Sequence, residues 1–224
     1  MKIQDIVPNK VINQIKADVK RISEKAQDAW DAGCDEEDTL TGDFCSCFRS
    51  RGWRKISDEK GKDWKYRFTY KKFRSKGKNA DEKIFGADGI FEIEVTEISN
   101  GSSFKKGLLF QAKKHNDSGR KKLLEQACKM NEIVPNASSI FEYGRVYKAY
   151  DSKDLLQTAE KAKNAIEKVP MGDYLADRFL ECKVGKDGMT YDAVSKVIVY
   201  PYMNSIRRVK ATLHHRIRIE VISS

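Results

Sequence analysis

The sequence predicts an α/β protein: a mixed central sheet flanked by helices, with extra helices at both termini. Three observations carry this. Residues 64–71 (WKYRFTYK) and 90–98 (IFEIEVTEI) alternate with the two-residue period of strands. Helical segments precede these strands and separate them from the next, giving the order helix, strand, strand, strand, helix, strand. A hydrophobic content of 40% over 224 residues supplies a core, while no run approaches the ~20 apolar residues of a membrane span.

Taken in order, residues 8–32 read as one long amphipathic helix. Pro8 suits a first helical turn, Val11, Ile12, Ile15, Val19, Ile22, Ala26 and Trp30 recur at three- and four-residue steps, and Gly33 closes the segment. A second helix is predicted over 36–50, with Leu40, Phe44 and Phe48 on one face. In the strand over 64–71, Trp64, Tyr66, Phe68 and Tyr70 form an aromatic face and Lys65, Arg67 and Lys71 a cationic one. Residues 75–81 form a loop. The strand over 90–98 turns at Asn100-Gly101 and pairs with a strand over 107–113. A helix over 118–131, a strand over 139–143 and a sheet extension at 147–150 follow. Residues 152–168 and, more weakly, 173–182 are helical by composition, and 215–221 (HRIRIEV) alternates as a strand. No internal repeat or linker divides the chain, so a single domain is expected, with its core at about 35–145.

The net charge is +10, and its location is informative. Residues 49–78 hold thirteen basic and three acidic side chains, so this segment carries the whole excess. A localised basic block is the footprint expected for a polyphosphate partner. Arg49, Arg51, Arg54, Lys65, Arg67, Lys71, Lys72 and Arg74 are its candidate phosphate ligands; a solvated cationic strand is the alternative. The aromatic face of the same strand is expected in the core. Cys34, Cys45, Cys47, Cys128 and Cys182 show neither a CxxC pair nor zinc spacing, and read as free thiols of a reducing cytosol. The first ten residues contain no apolar core of a secretory signal. A cytoplasmic location without membrane association is expected.

Three features converge on one chemistry. Asp88 lies in Gly86-Ala-Asp-Gly89 at the mouth of a strand, where the glycines permit a tight turn and close approach. Gln111 and Lys113 share one face of the neighbouring strand. Glu37 keeps helical spacing with Leu40, Thr41, Phe44 and Phe48 and so faces inward, whereas Glu36 sits off that stripe and is the alternative acid. An acid from a helix, an acid from one strand and an amide with a lysine from the next suit a divalent-cation site: hard cations take oxygen ligands, so Asp88, the Gln111 carbonyl, a backbone carbonyl and waters would suffice for Mg2+, with Mn2+ able to substitute. A lysine beside such an ion positions an attacking water or steadies charge on a phosphate.

A helical Glu, then an Asp some twenty residues before (Glu/Gln)-x-Lys across a hairpin, then a helix, resembles the PD-(D/E)xK nuclease superfamily. Gln111-Ala-Lys113 is similar to the branch in which Gln replaces the second acid, as in Mrr-type restriction endonucleases and nuclease modules of anti-phage defence proteins. Ala87 stands where the superfamily name has Pro. The resemblance covers about residues 35–145. It implies a restriction endonuclease-like fold and metal-dependent hydrolysis of DNA phosphodiester bonds. Glu37 (or Glu36), Asp88 and Gln111 would be metal ligands and Lys113 the water-activating lysine. By the same analogy a homodimer, and a partner protein of a defence system, are expected.

Other residues fall around this constellation. Gln126 lies on the helix that borders the site in such folds. Lys114 and His115 extend the motif toward phosphate. Glu92 and Glu94 share the parity of Asp88 and either extend the acidic site or, the favoured reading, face solvent opposite Phe91, Ile93 and Val95. A second basic run at 207–210, with 214–218, either extends the cleft or sits exposed. No P-loop, GxGxxG or HExxH is present. Two rival functions remain open at this level: a catalytically inactive nucleic-acid-binding module of the same fold, and a nuclease acting on RNA.

Overall fold

The structure, a computed structural model, describes residues 2–33, 36–73, 86–115, 119–161 and 166–223. In chain order the helices are α1 (Asn9–Lys25), α2 (Ala29–Gly33), α3 (Glu37–Cys47), α4 (Arg120–Ile133), α5 (Ser152–Lys161) and α6 (Met171–Asp173). The strands are β1 (Arg54–Ser57), β2 (Asp63–Lys72), β3 (Gly89–Glu97), β4 (Ser103–Lys114), β5 (Ser138–Tyr143), β6 (Lys148–Asp151), β7 (Val169–Pro170), β8 (Lys186–Asp187), β9 (Thr190–Asp192), β10 (Val197–Tyr202), β11 (Ser205–Lys210) and β12 (His215–Ser223).

Among the described residues, nine strands form one mixed sheet in the order β1-β2-β12-β3-β4-β5-β6-β7, with β8 added to β4. β12 runs parallel to β3, and β4 parallel to β5; the other neighbours are antiparallel. The predicted α/β class with a mixed sheet and flanking helices is therefore present. The β3–β4 hairpin forms as expected and places Gly89 opposite Phe110.

Strand alternation separates two cores. One face of the sheet (Trp64, Tyr66, Phe68, Phe91, Ile93, Phe110, Ile217) is covered by α1, α3 and a π-helical turn at Tyr174–Phe179. The aromatic parity of β2 thus lies in the core, as its spacing requires. The other face (Ile90, Leu109, Ile140) is covered by α4, α5 and a separate antiparallel sheet, β9-β10-β11. Among the described residues no helix is long and apolar enough to cross a membrane.

Several expectations change. The helix over 8–32 is interrupted by a 3-10 turn at Ala26–Asp28. The helix begun at Ser152 is described only to Lys161, and residues 166–168 are not helical. Residues 215–221 do form a strand, and it sits in the middle of the sheet between β2 and β3. Glu92 is not solvent-facing: it is 1% exposed, because the β9-β10-β11 sheet covers that face. Its carboxylate meets Arg216 Nε at 2.6 Å and Arg218 Nε at 3.1 Å and accepts the Tyr191 amide at 2.7 Å. Glu94 joins the same face through Lys105 and Arg218. The predicted loop at 75–81 and Arg74 lie outside the described residues, as does Cys34.

Candidate active site

Asp88 is fixed at the point where β3, β4 and β12 meet. Its amide donates to the Phe110 carbonyl (2.9 Å), and its own carbonyl accepts the amides of His214 (2.9 Å) and His215 (3.1 Å). The turn that leads into it needs both glycines. Gly86 has φ +69°, and a Cβ there would lie 2.5 Å from the Gln126 carbonyl oxygen. A Cβ on Gly89 would lie 2.4 Å from the Phe110 ring and 2.6 Å from the His215 carbonyl.

From this turn the Asp88 carboxylate reaches β4. One oxygen, Oδ2, accepts the Gln111 side-chain amide at 2.6 Å and the Ala112 backbone amide at 2.7 Å. On the same strand, Lys113 Nζ donates to both carboxylate oxygens of Glu37, at 3.0 and 3.2 Å, and the Lys114 amide donates to Glu37 at 3.3 Å. Glu37 opens α3, whose Thr41 hydroxyl closes back on the Glu37 carbonyl at 2.7 Å. Glu36 is the exposed residue before the helix, with no side-chain cap bond. The inward spacing of Glu37 therefore selects between the two acids. Gln126, on α4, donates to Gln111 Oε1 at 3.2 Å, and its own Oε1 is buried with no hydrogen-bond partner among the described residues.

These groups line one cleft of about 590 Å³. α3 forms one wall with Glu37, Asp38 and Thr41. α4 forms the other with Lys122, Glu125, Gln126 and Lys129, and His214 and His215 close the end. His215 is buried between Tyr70 (Nδ1 to the hydroxyl, 3.0 Å) and Asp38 (Nε2 to Oδ1, 3.5 Å). Burial holds its imidazole down at about 4, so it is neutral at ordinary pH even with Asp38 nearby.

The donor set suits a hard cation in kind. The Gln111 amide nitrogen lies 2.6 Å from Asp88 Oδ2 and 3.0 Å from the Ala112 carbonyl, so two oxygens converge on one point. An amide's oxygen and nitrogen exchange places by a half-turn, which would present Gln111 Oε1 to the same point. Gln126 Nε2 faces the oxygen so displaced, so Gln126 would have to make the same half-turn for its Oε1 to accept the Gln111 nitrogen. Among the described residues no group of three or more His, Cys, Asp or Glu is placed to hold a metal. A cation here depends on the amide and backbone oxygens beside Asp88.

The basic block is not gathered at this cleft. Among the described residues of the block, Lys72 adjoins it, 3.1 Å from Asp38. Arg49, Arg51 and Arg54 line a different cleft. Lys65 and Arg67 lie over the Trp53 ring, and Arg67 also pairs with Glu220 at 2.5 Å. Lys71 lies over Phe73. Lys114 lies over Trp30, and His115 pairs with Glu142 at 2.8 Å. The cleft's own cations, Lys113, Lys122 and Lys129, come from β4 and α4. Lys122, Gln126 and Lys129 fall at i, i+4 and i+7, a spacing that puts all three on one helix face and was available in the sequence. Of the second basic run, His214 and His215 reach the cleft, whereas Arg216 and Arg218 pair with Glu92 instead.

No protein-family model, no curated protein and no solved structure matches this chain.

Proposed function

We propose that the protein is a metal-dependent endonuclease that hydrolyses DNA phosphodiester bonds. The observation that carries this reading is the meeting of Asp88, Gln111, Lys113 and Glu37 in one cleft whose walls add Lys122 and Lys129. Asp88, Gln111 and the Ala112 carbonyl would hold Mg2+ or Mn2+. Glu37, expected as a third ligand, is engaged by Lys113 and the Lys114 amide, and its part is to hold that lysine in place. When bound, the ion supplies positive charge to the phosphoryl and leaving oxygens. Lys113 orients the attacking water and steadies the charge that develops on the phosphate, and Lys122 and Lys129 hold flanking phosphates. Water attacks phosphorus in line, the bond to the leaving oxygen breaks, the water's proton is lost to solvent, and the leaving oxygen takes a proton from solvent. The resemblance to restriction and anti-phage nucleases extends the proposal to cytoplasmic defence against foreign DNA.

The test is incubation of purified protein with plasmid, linear and single-stranded DNA and with RNA, with Mg2+ and with EDTA. Asp88→Ala and Lys113→Ala are each expected to lower cleavage by at least about 10²-fold, with thermal unfolding still cooperative. Cutting at the wild-type rate by both variants overturns the assignment. Salt-dependent DNA binding that ignores EDTA, with no cleavage in Mg2+ or Mn2+, replaces it with a binding module. Preferential cleavage of RNA changes the substrate.

A further inference from the structure

The cleft that collects Arg49, Arg51 and Arg54 lies at the opposite end of α3 from Glu37. It has a volume of about 470 Å³ and also receives Arg21 and Lys25 from α1, with Trp53 at its rim. Among the described residues, none of the side chains lining it is acidic. Arg21 and Arg54 are anchored from beneath by the buried Asp18, which also accepts the Tyr66 hydroxyl. That anchoring fixes two guanidinium groups without bringing a carboxylate to the surface. For Lys25, Arg49 and Arg51 no ion pair is recorded among the described residues, and all three are exposed. A concavity lined by one sign of charge concentrates its field and favours a polyanion.

The position of this cleft argues for a strand of nucleic acid rather than a small anion. The eleven residues of α3 span about 16 Å at 1.5 Å per residue, equivalent to four or five base pairs at roughly 3.4 Å each. Cations mark the way between. Lys72 sits beside Asp38 at the start of α3, and Arg49 lies over the Tyr70 ring, one step along the same face of β2. We infer that the phosphate backbone of a bound nucleic acid runs along the seam between α3 and β2, from the candidate active site into the Arg21/Arg49/Arg51 cleft. This rests on the nucleic-acid part of the proposed function but not on catalysis.

The experiment measures binding in EDTA, by fluorescence anisotropy, of labelled duplexes of about 8 and about 16 base pairs over a range of salt concentrations. The wild type is expected to bind the longer duplex more tightly and with the steeper salt dependence. Arg49→Ala/Arg51→Ala is expected to reduce the salt slope on the longer duplex by about 2 and to weaken its binding at least tenfold near 0.1 M salt, with the short duplex little affected. Arg49→Gln/Arg51→Gln keeps the aliphatic stems and serves if the alanine variant melts early. Arg49→Lys/Arg51→Lys is expected to restore most of the slope. An unchanged slope in the neutral variants overturns the inference. So does loss of tripolyphosphate binding with duplex binding intact, which would make the cleft a small-anion site. Wild-type binding with the expected slope but no cleavage in Mg2+ leaves this path standing and removes the nuclease.

Discussion

Replacing Glu92 with Gln tests a carboxylate buried in the core. The carboxylate is 1% exposed and sits against two guanidinium groups. Burial nevertheless pushes its carboxyl up from 4.5 to about 7, with Arg218 pulling the other way. The folded protein thus keeps this proton after the unfolded chain has lost it. Between pH 4.5 and 7 folding takes up a proton, so stability falls as pH rises. The contribution is fully present below the unfolded value and is lost as pH passes through the folded one. At 1.36 kcal/mol per pH unit the loss over that interval is about 3 kcal/mol. The Glu92→Gln variant has no such proton while keeping an oxygen for the Tyr191 amide. Urea denaturation of both proteins from pH 4 to 8 isolates the effect, because every other titrating group is common to the pair. Wild-type stability minus variant stability is expected to drop by about 3 kcal/mol between pH 4.5 and 7 and to level off above. A difference that stays flat, or rises with pH, would show that Arg216 and Arg218 hold Glu92 ionised, and refute the reasoning.

Two further outcomes follow from packing. Gly86→Ala sets a Cβ against the α4 backbone at a positive φ, and should cost about 3 kcal/mol. Equilibrium denaturation reads this directly, and a loss below about 1 kcal/mol would mean that the turn into Asp88 is looser than described. Phe44→Ala removes a fully buried ring that meets Phe48, Phe141, Tyr143 and Tyr147 at centroid distances of 5.3 to 6.2 Å. It should cost about 3–5 kcal/mol in the same assay, and a near-neutral result would contradict the packing of α3 on the sheet.

The parts of this molecule legible in sequence are those whose signal is local. Period-two alternation located β2, β3 and β12, the Asn100-Gly101 turn located β4 as the hairpin partner of β3, and helical spacing chose Glu37 over Glu36. The short offsets between Asp88, Gln111 and Lys113 lie within one hairpin, so their proximity follows from strand geometry. Glu92 was misread because its burial depends on β9-β10-β11, about a hundred residues away; alternation reports two faces but not what covers each. The basic block divides among several surfaces for a related reason. Parity sends Lys65, Arg67 and Lys71 to one face of β2 and Lys72 to the other. Arg49, Arg51 and Arg54 then join α1, an association that only the tertiary fold creates. His214 and His215 reach the site through a parallel pairing of β12 with β3 that has no local signature.

The central place of β12 has a consequence for how the chain is made. Its His215 pairs with both Lys72 and Gly89, so the strand that joins the two halves of the sheet is synthesised about 140 residues after β2. At roughly 5–20 residues per second, β2 and β3 wait some 7–28 seconds with facing edges unfilled. An open edge is a template for pairing with another nascent copy. The cations along β2, Lys65, Arg67 and Lys71, would set two such copies repelling one another during that interval. They would guard the gap until β12, carrying Glu220 opposite Arg67, arrives to fill it.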